Sequence, residues 1–279
     1  MNTSYECFPC FLNQAIRAGN LLGIKPNKQW KILKEVLAYL QEIDVADPPP
    51  KNAVRLYDIV ARYCGHYDPY GPLKKTATRD ALALYPQLKE RVRQCDDPLF
   101  ASLKLAVAGN VIDYGVASNF DLESELDAIM DAVFVRWDYF SFKERLQGAG
   151  WILYIGDNAG ESVFDRLLIE ELKKPVTYVV RGGPIINDVT VEDAREAGLH
   201  QVSKIVTSGL RMPGIDLDEC SREFESLYRS APLVISKGQG NFETLTPPDR
   251  EIFFMFKIKC EVVARFLSCP VGGLYMGTF

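Results

Sequence analysis

Up to about residue 98 the apolar positions of this 279-residue chain recur at helical intervals, with no convincing strand. Gln29 to Ile43 carries Trp30, Ile32, Leu33, Val36, Leu37, Leu40 and Ile43 on one stripe, which predicts a core-facing helix. Asp47-Pro-Pro-Pro50 stops it, and Lys51 to Tyr63 predicts another. Tyr67-Asp-Pro-Tyr-Gly-Pro72 reads as a turn, and Lys74 to Cys95 as a further helix, with a break before Pro86 left open. Asp96-Asp-Pro98 marks the boundary between a helical subdomain, 1–98, and an α/β domain, 99–279. Leu99 to Gly115 is again helical and apolar, with Asn110 and Asp113 inside it. Asp121 suits a helix N-cap, followed by acidic residues that complement the first turn's dipole.

Beyond residue 150 short apolar runs alternate with helical stretches. Trp151 to Ile155 predicts a buried strand, Gly156 breaks it, and Asp157 and Asn158 follow at its carboxyl end. Ser162 to Leu172 then reads as a helix closed by Lys173, Lys174 and Pro175. Val176 to Val180 is a second strand leading through Arg181-Gly-Gly-Pro184 to Asn187 and Asp188. Lys204 to Thr207 is a third, and the run from Pro232 a fourth, ending in Lys237-Gly238-Gln239-Gly240-Asn241. Ile252 to Phe266 reads as an amphipathic helix bearing Cys260. Strands alternating with helices predict a mainly parallel sheet built from βαβ units. In such sheets ligands bind beyond the carboxyl ends of the strands, where these polar residues lie.

Asp157, Asn158 and Asp188 form an oxygen-only donor set, which suits Mg²⁺ or Mn²⁺ and not a structural zinc. Asn187-Asp-Val-Thr190 equally resembles a helix start, in which Asp188 is an N-cap. Lys237 with the amides of Gly238-Gln239-Gly240 suits a phosphate, although the order of a P-loop is absent. Cys7-Phe-Pro-Cys10 has no second pair at zinc-ribbon spacing. Buried thiols and a peripheral metal site both remain open for it. The pair is expected to be structural, near Cys260 and away from the phosphate pocket.

Composition narrows the classes. The chain is 47% hydrophobic and 25% charged, ordinary for a globular protein, and its net charge of −5 offers no basic field for nucleic acid. No apolar run reaches bilayer length, and Met1-Asn-Thr-Ser-Tyr-Glu6 shows no secretory signal. The expectation is a cytoplasmic protein with its seven cysteines mostly reduced. With two histidines, a Ser-His-Asp triad or a multi-histidine centre is disfavoured. The turn Gly156-Asp-Asn-Ala-Gly160 lacks the Gly-x-Gly-x-x-Gly fingerprint, which weighs against a Rossmann-type transferase.

Asp157-Asn-Ala-Gly-Glu161, Asn187-Asp-Val-Thr190, Lys237-Gly-Gln-Gly-Asn241 and Cys7-Phe-Pro-Cys10, in that spacing, resemble the damage-control phosphatases, formerly domain of unknown function 89, in their short prokaryotic branch. Ala108-Gly-Asn-Val-Ile-Asp113 and Phe256-Lys-Ile-Lys-Cys260 extend the likeness nearly end to end. The resemblance implies a three-layer α/β/α, Rossmann-like domain with a helical N-terminal part. It implies a phosphatase acting on phosphorylated small metabolites with a divalent metal such as Mg, Mn, Ni or Co. It places Asp157, Asn158 and Asp188 on the metal and Lys237 on the phosphate. Asn110, Gly238 and Asn241 are further candidates for the substrate, and Glu161 joins Asp157 and Lys237 as a candidate catalytic group. Whether Asp157 or a water attacks is left open, as is the oligomeric state. A non-catalytic phosphometabolite-binding protein is the alternative.

Overall fold

The computed structural model describes residues 1–109, 129 and 131–279. Asn110 and Asp113 lie outside the described residues, as does the cap expected at Asp121. The helical half comprises α1 (Cys7–Leu21), α2 (Pro26–Leu40), α3 (Pro49–Cys64) and α4 (Gly71–Gln94). Prolines open α2, α3 and α4, where a missing N–H costs nothing. Gly65 ends α3 in a left-handed conformation, φ 76°. Helices α1 to α3 close on a core of their own, with Phe11, Ile32, Val36, Leu56 and Val60 buried.

The open question at Pro86 is settled, because α4 runs through it. Ala81, Tyr85, Leu88 and Val92 pack this helix against Val163, Phe164 and Leu167, and that packing outweighs the roughly 3 kcal/mol an interior proline costs. Helix α5 (Pro98–Ala108) follows, capped by Asp97, whose side chain accepts the Phe100 amide at 3.1 Å.

The remainder alternates β1 (Phe134–Trp137), α6 (Tyr139–Gly148), β2 (Ile152–Ile155), α7 (Ser162–Leu172), β3 (Val176–Val180), α8 (Val191–Glu196), β4 (Lys204–Thr207), α9 (Arg222–Ser230), β5 (Val234–Lys237), α10 (Gln239–Leu245), β6 (Phe253–Lys257), α11 (Glu261–Leu267) and β7 (Leu274–Thr278). The sheet order is β1-β7-β6-β5-β2-β3-β4, with only the β6–β7 pair antiparallel. The two faces of each strand feed different cores. Ile152, Tyr154, Val176 and Tyr178 face α5 to α8, while Leu153, Ile155, Val179 and Val234 face α9 to α11. This is the mainly parallel α/β sandwich expected, and burial on both faces explains the unbroken apolar runs.

Three strands escaped the sequence pattern. Ile252–Phe266 does not form one helix: Phe253–Lys257 is β6, and only Glu261–Leu267 is helical. Phe253 and Met255 serve one core, and Phe254 and Phe256 the other. A short run that is apolar at every position fits a helix or a fully buried strand equally well. The edge strand β1 overlaps the short run Ala132-Val-Phe-Val135 and β7 holds only Leu274-Tyr-Met276 before Gly277, and both runs were passed over.

Candidate active site at the carboxyl edge of the sheet

Chain order reverses between β2 and β5, so their helical connections diverge and leave a crevice. At that point Asp157, Asn158, Asn187 and Asp188 form one wall of a cavity of about 290 Å³. Gln239, Gly240, Glu243 and Lys259 form another, and the helical half closes it with Phe11, Gln14, Ala53 and Tyr57.

Backbone pairing brings the ends of β2 and β3 together. Val189 N–H donates to the Asp157 carbonyl at 2.8 Å and Ala159 N–H to the Asn187 carbonyl at 2.9 Å, and Asn158 and Asp188 form a bridge. Ile185 and Ile186, in the loop that carries Asp188, pack into the α1–α3 core, so the cap pins this loop. Asp188 is not an N-cap. Thr190 caps α8 in a capping box with Asp193, which frees the Asp188 carboxylate for the cavity.

Hydrogen bonds fix the orientation of the polar side chains. Asn158 Nδ2 donates to Asp157 Oδ2 at 3.1 Å and also to Glu161 Oε1. Arg181 Nε donates to Asp188 Oδ2 at 2.7 Å. Gly238 permits the close approach of β5 to Asp157: its φ is 84°, and a Cβ there would lie 2.2 Å from the Asp157 Cγ.

Four buried carboxylates, Asp157, Glu161, Asp165 and Asp188, stand against two buried cations, Arg181 and Lys237. Fully ionised, they leave a surplus of two negative charges. Burial raises the Glu161 and Asp188 carboxyls well above the usual range, against the pull of Lys237 and Arg181 respectively. Burial likewise pushes Glu243 up to about 7.

The phosphate reading of the β5 end meets a different arrangement. Lys237 is 1% exposed, and its ammonium lies 2.6 Å from Asp165 Oδ1 and 3.5 Å from Glu161 Oε2. Desolvation works against its charge, but Asp165 and Glu161 outweigh it and raise the ammonium's pKa. Tyr154 and Tyr178 each donate to Asp165 at 2.7 Å, completing a closed buried network. Asn241 is fully buried, donating to the carbonyls of Lys237 and Gly156 and accepting from Arg181. Gly238 N–H is spent on the Met255 carbonyl at 3.0 Å. None of the three lines the cavity. The cation on the wall is Lys259, in the segment misread as helix, which is why periodicity missed it.

The cysteine pair lies near Cys260 as expected but is not remote from the pocket. Cys7 and Cys10 open α1, and Cys260 caps α11 within electrostatic reach of Cys7. Yet Cys10 Sγ accepts from Gln14 at 3.2 Å, Gln14 accepts from Tyr57 at 2.7 Å, and both of those side chains line the cavity. Cys10 lies one contact from the pocket, because α1 supplies part of its wall. Burial pushes the Cys7 thiol up to about 11.

The donor chemistry fits a divalent cation. Among the described residues no three His, Cys, Asp or Glu side chains gather into a metal-holding group. What gathers is two carboxylates and a carboxamide, a hard oxygen set, beside a twofold surplus of negative charge. Beside this set Glu161 Oε2 is buried without a hydrogen-bond partner, with the Lys237 ammonium 3.5 Å away, so its bonding capacity is not fully used by the protein.

An α/β sandwich with an acidic strand-end pocket under a helical cover defines the class as a doubly wound α/β protein. The profile of the damage-control phosphatase ARMT1-like domain matches residues 3–274, so the chain belongs to the damage-control phosphatase family. It is similar to a damage-control phosphatase of Pyrococcus horikoshii, 36% identical over 98% of this chain and 97% of that one. A damage-control phosphatase of Archaeoglobus fulgidus is 32% identical over 98% of both chains. The crystal structure of a DUF89 family protein from Pyrococcus horikoshii superposes with a TM-score of 0.92 and 33% identity, covering 100% of this chain and 99% of that one. No helix among the described residues is long and apolar enough to cross a membrane.

Proposed function

We propose that the protein is a divalent-metal-dependent phosphomonoesterase acting on small phosphorylated metabolites. The observation that carries this reading is one cavity lined by Asp157, Asn158 and Asp188 together with the cation Lys259. Asp157, Asn158 and Asp188 would hold the cation, which when bound supplies Lewis-acid polarisation of a phosphoryl oxygen. Lys259 meets the dianionic phosphate as a point charge. Glu161 acts through Asn158, taking its amide N–H and so setting which atom the carboxamide presents to the pocket. Lys237 supports Glu161 and Asp165 from behind and does not touch the phosphate. Asp157 is either a ligand or the attacking carboxylate, and both roles need its present place on the wall.

A volume near 290 Å³ lies at the small end of ligand pockets, which favours a compact phosphoester over a macromolecule. Phe11, Pro49, Pro50, Ala53 and Ile186 give part of the lining an apolar surface for the body of the substrate. The test is a phosphate-release screen over phosphorylated sugars and cofactor fragments. Chelator-stripped protein would be supplied with Mg²⁺, Mn²⁺, Co²⁺ or Ni²⁺ singly. Release that depends on the added cation is the expected result. Tight phosphoester binding with no release under any cation would establish the non-catalytic binder instead.

A further inference from the structure

Arg181 is 2% exposed although it carries a permanent charge. An uncompensated guanidinium at that depth is strongly unfavourable, so its partners define its purpose. Nε donates to Asp188 Oδ2 at 2.7 Å. One terminal nitrogen donates to Asn241 Oδ1 at 3.0 Å and to the Gly214 carbonyl at 3.2 Å. The other has no hydrogen-bond partner and lies 3.9 Å from Asp157 Oδ1. That separation is too long for a hydrogen bond, yet short enough for a strong Coulombic pull in a buried setting.

A single side chain therefore reaches the ends of β2, β3 and β5. It does so from outside the cavity, because Arg181 is absent from the wall to which Asp157 and Asp188 contribute. The backbone reinforces the placement: Arg181 N–H donates to the Val189 carbonyl at 2.9 Å, and Val189 N–H donates to the Asp157 carbonyl.

We infer that Arg181 is the positioning residue of the site, drawing two mutually repelling carboxylates toward one guanidinium before any cation arrives. This inference rests on the metal reading of Asp157, Asn158 and Asp188. Arg181 commits Asp188 Oδ2, so Oδ1 is the oxygen left untied by the guanidinium. It attracts Asp157 without consuming either of that residue's oxygens. Lysine cannot substitute, because a lone ammonium lacks the planar fork that serves Asp188, Asn241 and Gly214 at fixed angles.

The test uses the intact chain and Mn²⁺ alone, with free Mn²⁺ read by electron paramagnetic resonance. Arg181→Lys and Arg181→Gln are compared with wild type at a temperature where circular dichroism shows each folded. Both variants should bind Mn²⁺ at least about 10-fold more weakly, in the range found when a residue that orients a metal ligand is lost. Arg181→Lys should fail although it keeps the charge, and guanidinium added to Arg181→Ala should restore part of the affinity. A merely structural arginine would lower the melting temperature and leave the affinity of the folded protein unchanged. If Arg181→Gln does not fold, Arg181→Lys carries the comparison. Folded Arg181→Lys with Mn²⁺ affinity within about twofold of wild type overturns the inference alone. Wild-type protein that takes up no Mn²⁺ overturns it together with the metal reading.

Discussion

The ends of β2 and β5 look alike in sequence: each is a buried apolar strand followed by glycine and side chains suited to binding. In three dimensions they are opposites. At the β2 end, Asp157 and Asn158 reach the cavity, and their neighbourhood carries more negative charge than its cations balance. At the β5 end, Lys237 and Asn241 are closed off by Asp165, Glu161, Arg181 and backbone carbonyls. A polar residue at a strand end becomes a site only where its partners leave part of its capacity unspent. Lys237 has spent its capacity on holding the floor together, and Asp157 has not.

The comparison would break first at Asp157. Asp157→Asn keeps the shape and removes the charge, and should lower phosphate release by about three orders of magnitude, roughly 4 kcal/mol of barrier. The melting temperature should stay near that of wild type or rise, since one of several repelling acids has gone. Turnover within tenfold of wild type would show that the β2 end is not the reacting one.

Lys237→Met should do the reverse. Removing the partner of buried Asp165 leaves an uncompensated charge and should cost about 3–5 kcal/mol in chemical denaturation. The protein that remains folded should keep its KM for the phosphoester. A raised KM with unchanged stability would put Lys237 back on the phosphate.

Glu243 sharpens the contrast within the cavity through its pH dependence. Its folded carboxyl titrates near 7, above the ordinary 4.5, because burial disfavours its charge. The folded state therefore binds the proton more tightly than the unfolded chain does. Ionising Glu243 erodes stability as pH rises from about 4.5 to 7, and the penalty is constant above that window. Glu243→Gln, which can still accept from Gln239, should match wild type at pH 4 and exceed it by up to about 3 kcal/mol at pH 8. An equal difference at both pH values would remove the titration from the account.

The smallest effect is expected at the cysteines. Cys7→Ser with Cys10→Ser should lower stability by about 1 kcal/mol, chiefly the loss of the half-buried Cys7 contact since Cys10 is exposed, and spare turnover in the folded protein. A fall in kcat would mean that the route from Cys10 through Gln14 to the cavity has functional weight.

Much of this arrangement is local and therefore legible in one dimension. The helical half, the strands β2 to β5 and the placement of Asp157, Asn158 and Asp188 at strand ends all follow from periodicity and from glycine and proline punctuation. The motif spacing was enough to point to the family that the whole-chain comparisons establish. Tertiary structure alone decided which of those strand ends is open. Lys237 is closed by Asp165, 72 positions away, and Arg181 is joined to Asn241 across 60, separations at which no pattern along the chain carries information. The pocket walls from α1 and α3 were hidden for the same reason, whereas Lys259 was missed because its segment reads locally as helix. Electrostatic and hydrogen-bond capacity is consumed by neighbours in space, so a residue's type shows what it can bind, and only packing shows whether that capacity is still available.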